Sequence, residues 1–333
     1  MKKEYYEKHF KTGSLVGCMP INMNKIGFIH KDYSTHDEDS NEYYKLPTRL
    51  IVYLPQKIKL GLFGTVTWES GIDRLFLSAK NLDWIAETSA FMINEASKKT
   101  NWYPMPNNEK AHLAKGITNI DGEVYAYGMV RSVFKYTDVK KWENITTKTK
   151  YPNLYEDVEK SKETFVGDWV GFSALDGFNA NDIYAGGNRG DFWEYNGKRW
   201  KKIDLPSNAD ISTIVCGKDN NVYVGCRLGP VMVGKENNWT IIEKSQQVTH
   251  SCWFSGVIYF CCKDGRIYTH KEGKKELEEV KFKTDFPKYM LHNIVGIASC
   301  DECLVAYTSI QAYAYDGEVW HEIIEIPSLS KHT

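Results

Sequence analysis

The chain has 333 residues, 42% of them hydrophobic, which is enough for a sizeable core in one large unit or two average domains. Its 42 Lys and Arg nearly balance 43 Asp and Glu, a formal charge of −1, which argues against a strongly basic nucleic-acid binder and against an acidic disordered tail. No run of about 18 apolar residues offers a membrane span, mean hydropathy is −0.47, and 21 Tyr with 10 Trp favour β-structure.

In chain order, the first ten residues run from Met1-Lys2-Lys3 to Tyr5-Tyr6 and Phe10. No apolar stretch follows the lysines, so we expect no signal peptide and a cytoplasmic location. The segment Tyr5-Tyr6 to Phe10 could add an outer strand to the last unit of a closed ring. Hydrophobic anchors then recur at Phe28, Phe76, Tyr125, Tyr184, Tyr223, Tyr259 and Leu304. The best copies carry fixed offsets: Tyr184 is followed by Tyr195 after 11 residues and Trp200 after 16, and Tyr223 by Trp239 after 16. Tyr125 is followed by Tyr136 after 11 and Trp142 after 17, and Leu304 by Tyr315 after 11 and Trp320 after 16. Phe76 has its Trp, Trp102, displaced, and Tyr259 has none at the expected place.

Each unit reads as four short strands. In the clearest, 170–175, 183–186, 192–195 and 200–203 are strands, separated by Asn181-Asp182, by 187–191 and by the hairpin signal Asn196-Gly197. Four strands in roughly 40 to 45 residues is the blade of a β-propeller. A β-sandwich would not repeat these offsets, and the period-2 pattern excludes a helical solenoid. The expected fold is therefore all-β, a single seven-bladed β-propeller of four-stranded antiparallel blades over residues 1–333. The blades fall roughly at 13–57, 58–108, 111–150, 169–207, 210–244, 247–284 and 292–327, with surface insertions at 32–45 and 151–168.

Five cations sit 4 to 6 residues past their anchors: Lys80, Arg131, Arg189, Arg227 and Lys263. In the loop between second and third strands they would form a basic ring on one rim, suited to carboxylates or phosphates. Trp84, Trp169 and Trp253 fall outside the repeat's Trp position; Trp84 and Trp253 join the cations as candidate partner-binding residues. Eight cysteines, most in strand-like runs, read as reduced and buried thiols. Cys300-Asp301-Glu302-Cys303 has the spacing of a zinc or redox half-site, but no second such pair completes it, so no metal is expected. Lys115, Ser173, Thr213, His250 and Ser299 on first strands supply no converging acids and no triad, and no G-x-S-x-G occurs. Gly186-Gly187-Asn188-Arg189-Gly190 lies in a β-hairpin, where the phosphate-loop mechanism does not apply. We expect no catalytic residues, no enzymatic activity and no cofactor.

The runs Asp182-Ile183-Tyr184-Ala185-Gly186-Gly187, Trp193-Glu194-Tyr195-Asn196-Gly197-Lys198-Arg199-Trp200 and Val222-Tyr223-Val224-Gly225 resemble bacterial β-propeller repeat proteins with YAGG…YDG…W blades. The match covers about half the chain; no WD dipeptide recurs at blade ends. Members of that group often occur beside secreted polymorphic toxins, including type VI secretion effectors. The resemblance therefore implies a WD-like propeller acting as an immunity protein, which binds one toxin or effector domain with acidic surface groups and occludes its active site. Duplex nucleic acid and membrane are not expected partners. The alternative is a hydrolase or small-anion binder using the central channel around His250.

Overall fold

Short apolar runs bounded by turn residues cannot cover both faces of a sheet, and this chain covers them by packing sheets side by side. The computed structural model describes residues 6–7, 10–34, 48–53, 63–68, 75–80, 83–88, 91–94, 114–138, 141–158, 170–271, 273–274, 276–282, 290 and 292–324. Each sheet is an antiparallel meander built from one contiguous stretch. The first joins β1 (Gly13–Asn22), β2 (Lys25–Asp32), β3 (Thr48–Tyr53) and β4 (Phe63–Trp68). A three-stranded sheet follows, made of β5 (Leu75–Lys80), β6 (Asp83–Thr88) and β7 (Phe91–Asn94). Next come β8 (Ala114–Ile120), β9 (Glu123–Gly128), β10 (Ser132–Asp138) and β11 (Lys141–Asn144), then β12 (Phe172–Asn179), β13 (Asp182–Gly187), β14 (Phe192–Tyr195) and β15 (Trp200–Lys202). The remaining sheets are β16 (Ile211–Cys216), β17 (Val222–Cys226), β18 (Gly229–Lys235) and β19 (Asn238–Gln246); β20 (Val248–Phe254), β21 (Val257–Cys262), β22 (Ile267–His270) and β23 (Glu278–Glu279); and β24 (Gly296–Ser299), β25 (Leu304–Tyr307), β26 (Ala312–Tyr315) and β27 (Trp320–Ile324). No helix among the described residues is long and apolar enough to cross a membrane.

The first strand of each sheet packs against the first strand of the next, and β24 packs on β1. The fold is an all-β propeller with six four-stranded antiparallel blades among the described residues. The expectation of seven such blades is overturned: the remaining sheet, β5 to β7, has three strands among the described residues. The cause is a shift in strand allocation. The segment Phe63–Trp68 lies inside the stretch read as a second blade, yet it pairs with β3, Leu50 opposite Val66, as the fourth strand of the first blade. The long β2–β3 connection postpones the third and fourth strands of that blade. Phe76 consequently stands on the first strand of its sheet, not the second, and Trp102 lies outside the described residues.

The recurring offsets have a direct structural meaning. Tyr195 pairs across a hairpin with Trp200, Tyr315 with Trp320 and Tyr136 with Trp142, at ring-centroid separations of 5.0, 5.1 and 5.4 Å. In the first two hairpins an Asn or Asp closes the turn: Asn196 Oδ1 accepts the N–H of Lys198 and Arg199, and Asp316 Oδ1 that of Glu318 and Val319. The following Gly197 and Gly317 have φ of +81° and +107°, a region that glycine adopts without steric cost. The anchors Tyr125, Tyr184 and Tyr223 are buried, and the apolar clusters lie in the seams between adjacent blades.

Two further expectations change. The N-terminal segment supplies no strand to the last blade among the described residues: Tyr6 and Glu7 lie in a helical turn. Phe10 instead enters the seam between first and last blades beside Leu15, Tyr307 and Ile324. The stretch 151–168 is not a surface insertion throughout. Its described part forms a 3-10 turn, Pro152–Tyr155, that buries Tyr151 and Leu154 against the β12–β15 blade. Residues 36–42 of the other insertion lie outside the described residues.

Candidate functional site

A meander alternates direction, so the start of each first strand, the loop between second and third strands and the link to the next blade all lie on one rim. The loops carrying Arg131, Arg189, Arg227 and Lys263 stand there. Lys80 does not share this position. It ends β5 opposite Asp83 of β6, at the first turn of its sheet and on the other rim. Its displacement follows from the reallocation of Phe63–Trp68. Trp84 lies in β6 opposite Ala79.

The expected ring also loses Arg131, which is only 3% exposed. Val130 and Arg131 take φ of 58° and 53°, and this tight turn aims the guanidinium inward. Its Nε donates to Asp191 Oδ2 at 2.8 Å and its Nη2 to Asp191 Oδ1 at 3.0 Å, a bidentate pair. Nη1 donates to the Leu154 carbonyl at 2.5 Å, Nη2 faces Asp157 at 3.5 Å, and the guanidinium lies 5.1 Å from the Trp193 ring centroid. Trp193 Nε1 in turn donates to Asp191 Oδ1 at 2.8 Å. Arg131 thus clamps its own blade to the next and seats the 151–158 segment. A cation consumed this way is not available to a partner.

Arg189 and Arg227 are exposed, and one residue organises both loops. Asp210 Oδ1 accepts the Arg189 N–H at 2.8 Å, and the Asp210 carbonyl accepts the Arg227 N–H at 2.8 Å. The loops press onto residues 207–210. A Cβ on Gly190 (φ +68°) would meet the Ser207 carbonyl oxygen at 2.6 Å, and one on Gly229 (φ +153°) would meet Ala209 Cβ at 2.7 Å. Next to Arg227 stands Leu228, 67% exposed. On the following blade Lys263 is exposed, its N–H donating to the Gln247 carbonyl at 2.8 Å. None of the Arg189, Arg227 or Lys263 side chains forms an ion pair among the described residues. Asp210 and Leu228 escaped the sequence reading. Asp210 looks like any loop acid before a strand, and an apolar residue between Arg and Gly carries no sign of its exposure.

Trp253 is half-buried in the seam with the preceding blade. Its ring lies 6.0 Å from that of Tyr223 and against Gly217, and its carbonyl accepts the Ser299 hydroxyl at 2.9 Å. It lies towards the end of β20, away from the arginine rim. The first-strand polar groups do not assemble into a relay. His250 contacts the Tyr307 ring, burial lowers its pKa, and no hydrogen bond joins it to Ser173, Thr213 or Ser299 among the described residues. Trp169 lies outside the described residues, and among those described no three of His, Cys, Asp or Glu come together to hold a metal.

No family model matches the chain. Over 212 residues it is 31% identical to the Immune protein Tsi7 of Pseudomonas aeruginosa, an alignment that covers 63% of this chain and 63% of that protein. The chain therefore matches less than two thirds of that relative's length. Among solved structures it is similar to the WD40 β-propeller domain of Doa1, with a TM-score of 0.57 and 9% identity over 90% of this chain and 95% of that one. It is also similar to the RRP9 WD40 repeats, with a TM-score of 0.59 and 12% identity over 93% and 91%. At such identities the likeness shows the propeller fold alone.

Proposed function

We propose that this chain is a non-catalytic immunity protein of the cytoplasm that binds a cognate secreted toxin, of the kind exported as type VI effectors, and occludes its active site. The similarity to Immune protein Tsi7 carries this reading. The rim bearing Arg189, Arg227, Leu228 and Lys263 is the docking face we infer. Unpaired guanidinium groups held on short, braced loops offer bidentate contacts to carboxylates at little ordering cost. Leu228 adds an apolar anchor beside them, the combination that concentrates binding energy at an interface. Complementary acidic groups on the toxin would steer the encounter and fix its orientation.

The test is affinity capture of the tagged chain from its native cells, with stoichiometry by mass spectrometry. The reading expects one dominant polypeptide at near one-to-one, harmful to cells when expressed alone. Absence of a stoichiometric protein partner would overturn it. Arg189→Glu, Arg227→Glu and Lys263→Glu together should then weaken capture by at least about 100-fold with the fold intact. Unchanged capture would place the interface elsewhere.

A further inference from the structure

We propose that Cys300 and Cys303 form a redox-active dithiol that low-molecular-weight disulfides oxidise reversibly to an intrachain disulfide. The pair occupies the hairpin between β24 and β25, where the Cys300 N–H donates to the Cys303 carbonyl at 2.9 Å and folds the two side chains together. Their sulfurs are 3.6 Å apart. A disulfide needs about 2.05 Å, a closure small enough for side-chain rotation within one turn. The environments of the two thiols differ in a way that assigns roles. Cys300 is partly exposed, whereas Cys303 is fully buried in the seam between first and last blades.

Electrostatics separate Cys300 from every other thiol in the chain. The Cys303 S–H donates to its sulfur, as do the backbone N–H groups of Glu302 and Cys303, and together these outweigh burial and bring Cys300 down to about 7. The bond to Cys300 and burial push Cys303 up. Burial likewise raises Cys18 and Cys216, takes Cys261 to about 11, and takes Cys226, Cys252 and Cys262 to about 12. Thiolate fraction and access govern thiol reactivity, so Cys300 is the attacking sulfur and Cys303 the resolving one. In the first step the Cys300 thiolate attacks one sulfur of the small disulfide, breaking its S–S bond and releasing one thiolate. In the second, Cys303 loses its proton and attacks the Cys300 sulfur of the mixed disulfide, releasing the other. The sum is one protein dithiol and one small disulfide giving one protein disulfide and two small thiols. The hairpin tip is tied to two other blades, Asp301 to Lys218 at 2.8 Å and Glu302 to the Met23 N–H at 3.2 Å, so the pair is held in register for this exchange.

The experiment uses the intact chain with oxidised glutathione as oxidant, followed by peptide mapping before and after dithiothreitol. The expected product is a Cys300–Cys303 link that dithiothreitol reverses. In the untreated chain, iodoacetamide should label Cys300 about tenfold faster than any other cysteine at pH 7. Cys303→Ser should trap a stable glutathione adduct on Cys300 and move its alkylation midpoint upward, whereas Cys300→Ser should leave Cys303 unoxidised. No link between the two, or a Cys300 alkylation midpoint at the ordinary thiol value of about 8.5, would overturn the proposal, and both readouts come from the unmutated chain.

Discussion

Arg131, Arg189 and Arg227 stand at similar offsets from their anchors, and burial divides their roles. Arg131 is enclosed and bidentate to Asp191, while the other two face solvent. Removing one partner of a buried pair leaves an uncompensated charge, so Arg131→Met should cost about 3–5 kcal/mol in urea unfolding. Arg189→Ala should stay within about 0.5 kcal/mol. Asp176 gives a second test at this scale. It lies on β12, its Oδ2 accepts the Cys216 N–H at 2.8 Å, and the protein packed around it pushes its carboxyl up to about 7. A raised folded pKa means that the folded state holds the proton more tightly than the unfolded chain. Stability from this group is therefore full below the unfolded value near 4 and falls as pH rises to about 7. The slope stays below about 1.4 kcal/mol per pH unit, because one carboxyl exchanges at most one proton between the folded and unfolded states. Asp176→Asn keeps an acceptor for Cys216 and removes the charge. It should raise the melting temperature more at pH 8 than at pH 5; an equal change at both would contradict this account.

At the scale of the element, the Tyr195–Trp200 and Tyr315–Trp320 hairpins each combine a turn acid or amide, a left-handed glycine and a closely packed Tyr–Trp pair. Trp200 goes further than its own hairpin. It stacks on Phe172 with ring centroids 5.9 Å apart, and its Nε1 donates to the Ile145 carbonyl of the preceding blade at 3.1 Å. At 2% exposure it is a seam residue. Trp200→Ala should cost about 3–5 kcal/mol, read as a lower denaturation midpoint at unchanged slope. A cost under about 1 kcal/mol would contradict the role assigned to it.

For the whole molecule, closure is the decisive step, because each blade is cut from one contiguous stretch and no strand is exchanged between the chain ends among the described residues. The ring is sealed by packing and by isolated hydrogen bonds such as that from the Leu15 N–H to the Ser309 carbonyl at 2.6 Å. Phe10, from outside the strands, is fully buried in that seam between first and last blades. Phe10→Ala should cost about 3–5 kcal/mol. The same change should speed hydrogen exchange in β1 and β24 before the β12–β15 blade, since local opening starts where the fewest contacts must break.

The repeat offsets were enough to read an all-β propeller and its four-stranded blade, because a Tyr and a Trp that must meet across a short hairpin, with four residues between them, are held at a fixed spacing along the chain. The third strand of the clearest unit, Phe192–Tyr195, was legible to the residue for that reason. The blade count was not legible, since pairing of Phe63–Trp68 with β3 instead of β5 is a choice between partners that local pattern leaves equal. The rim was half legible. Spacing placed Arg131, Arg189 and Arg227 at one height, but whether a guanidinium faces water or a neighbouring Asp191 depends on contacts 60 residues apart. Local periodicity encodes the strand and the hairpin; burial and charge pairing come from the way the blades meet.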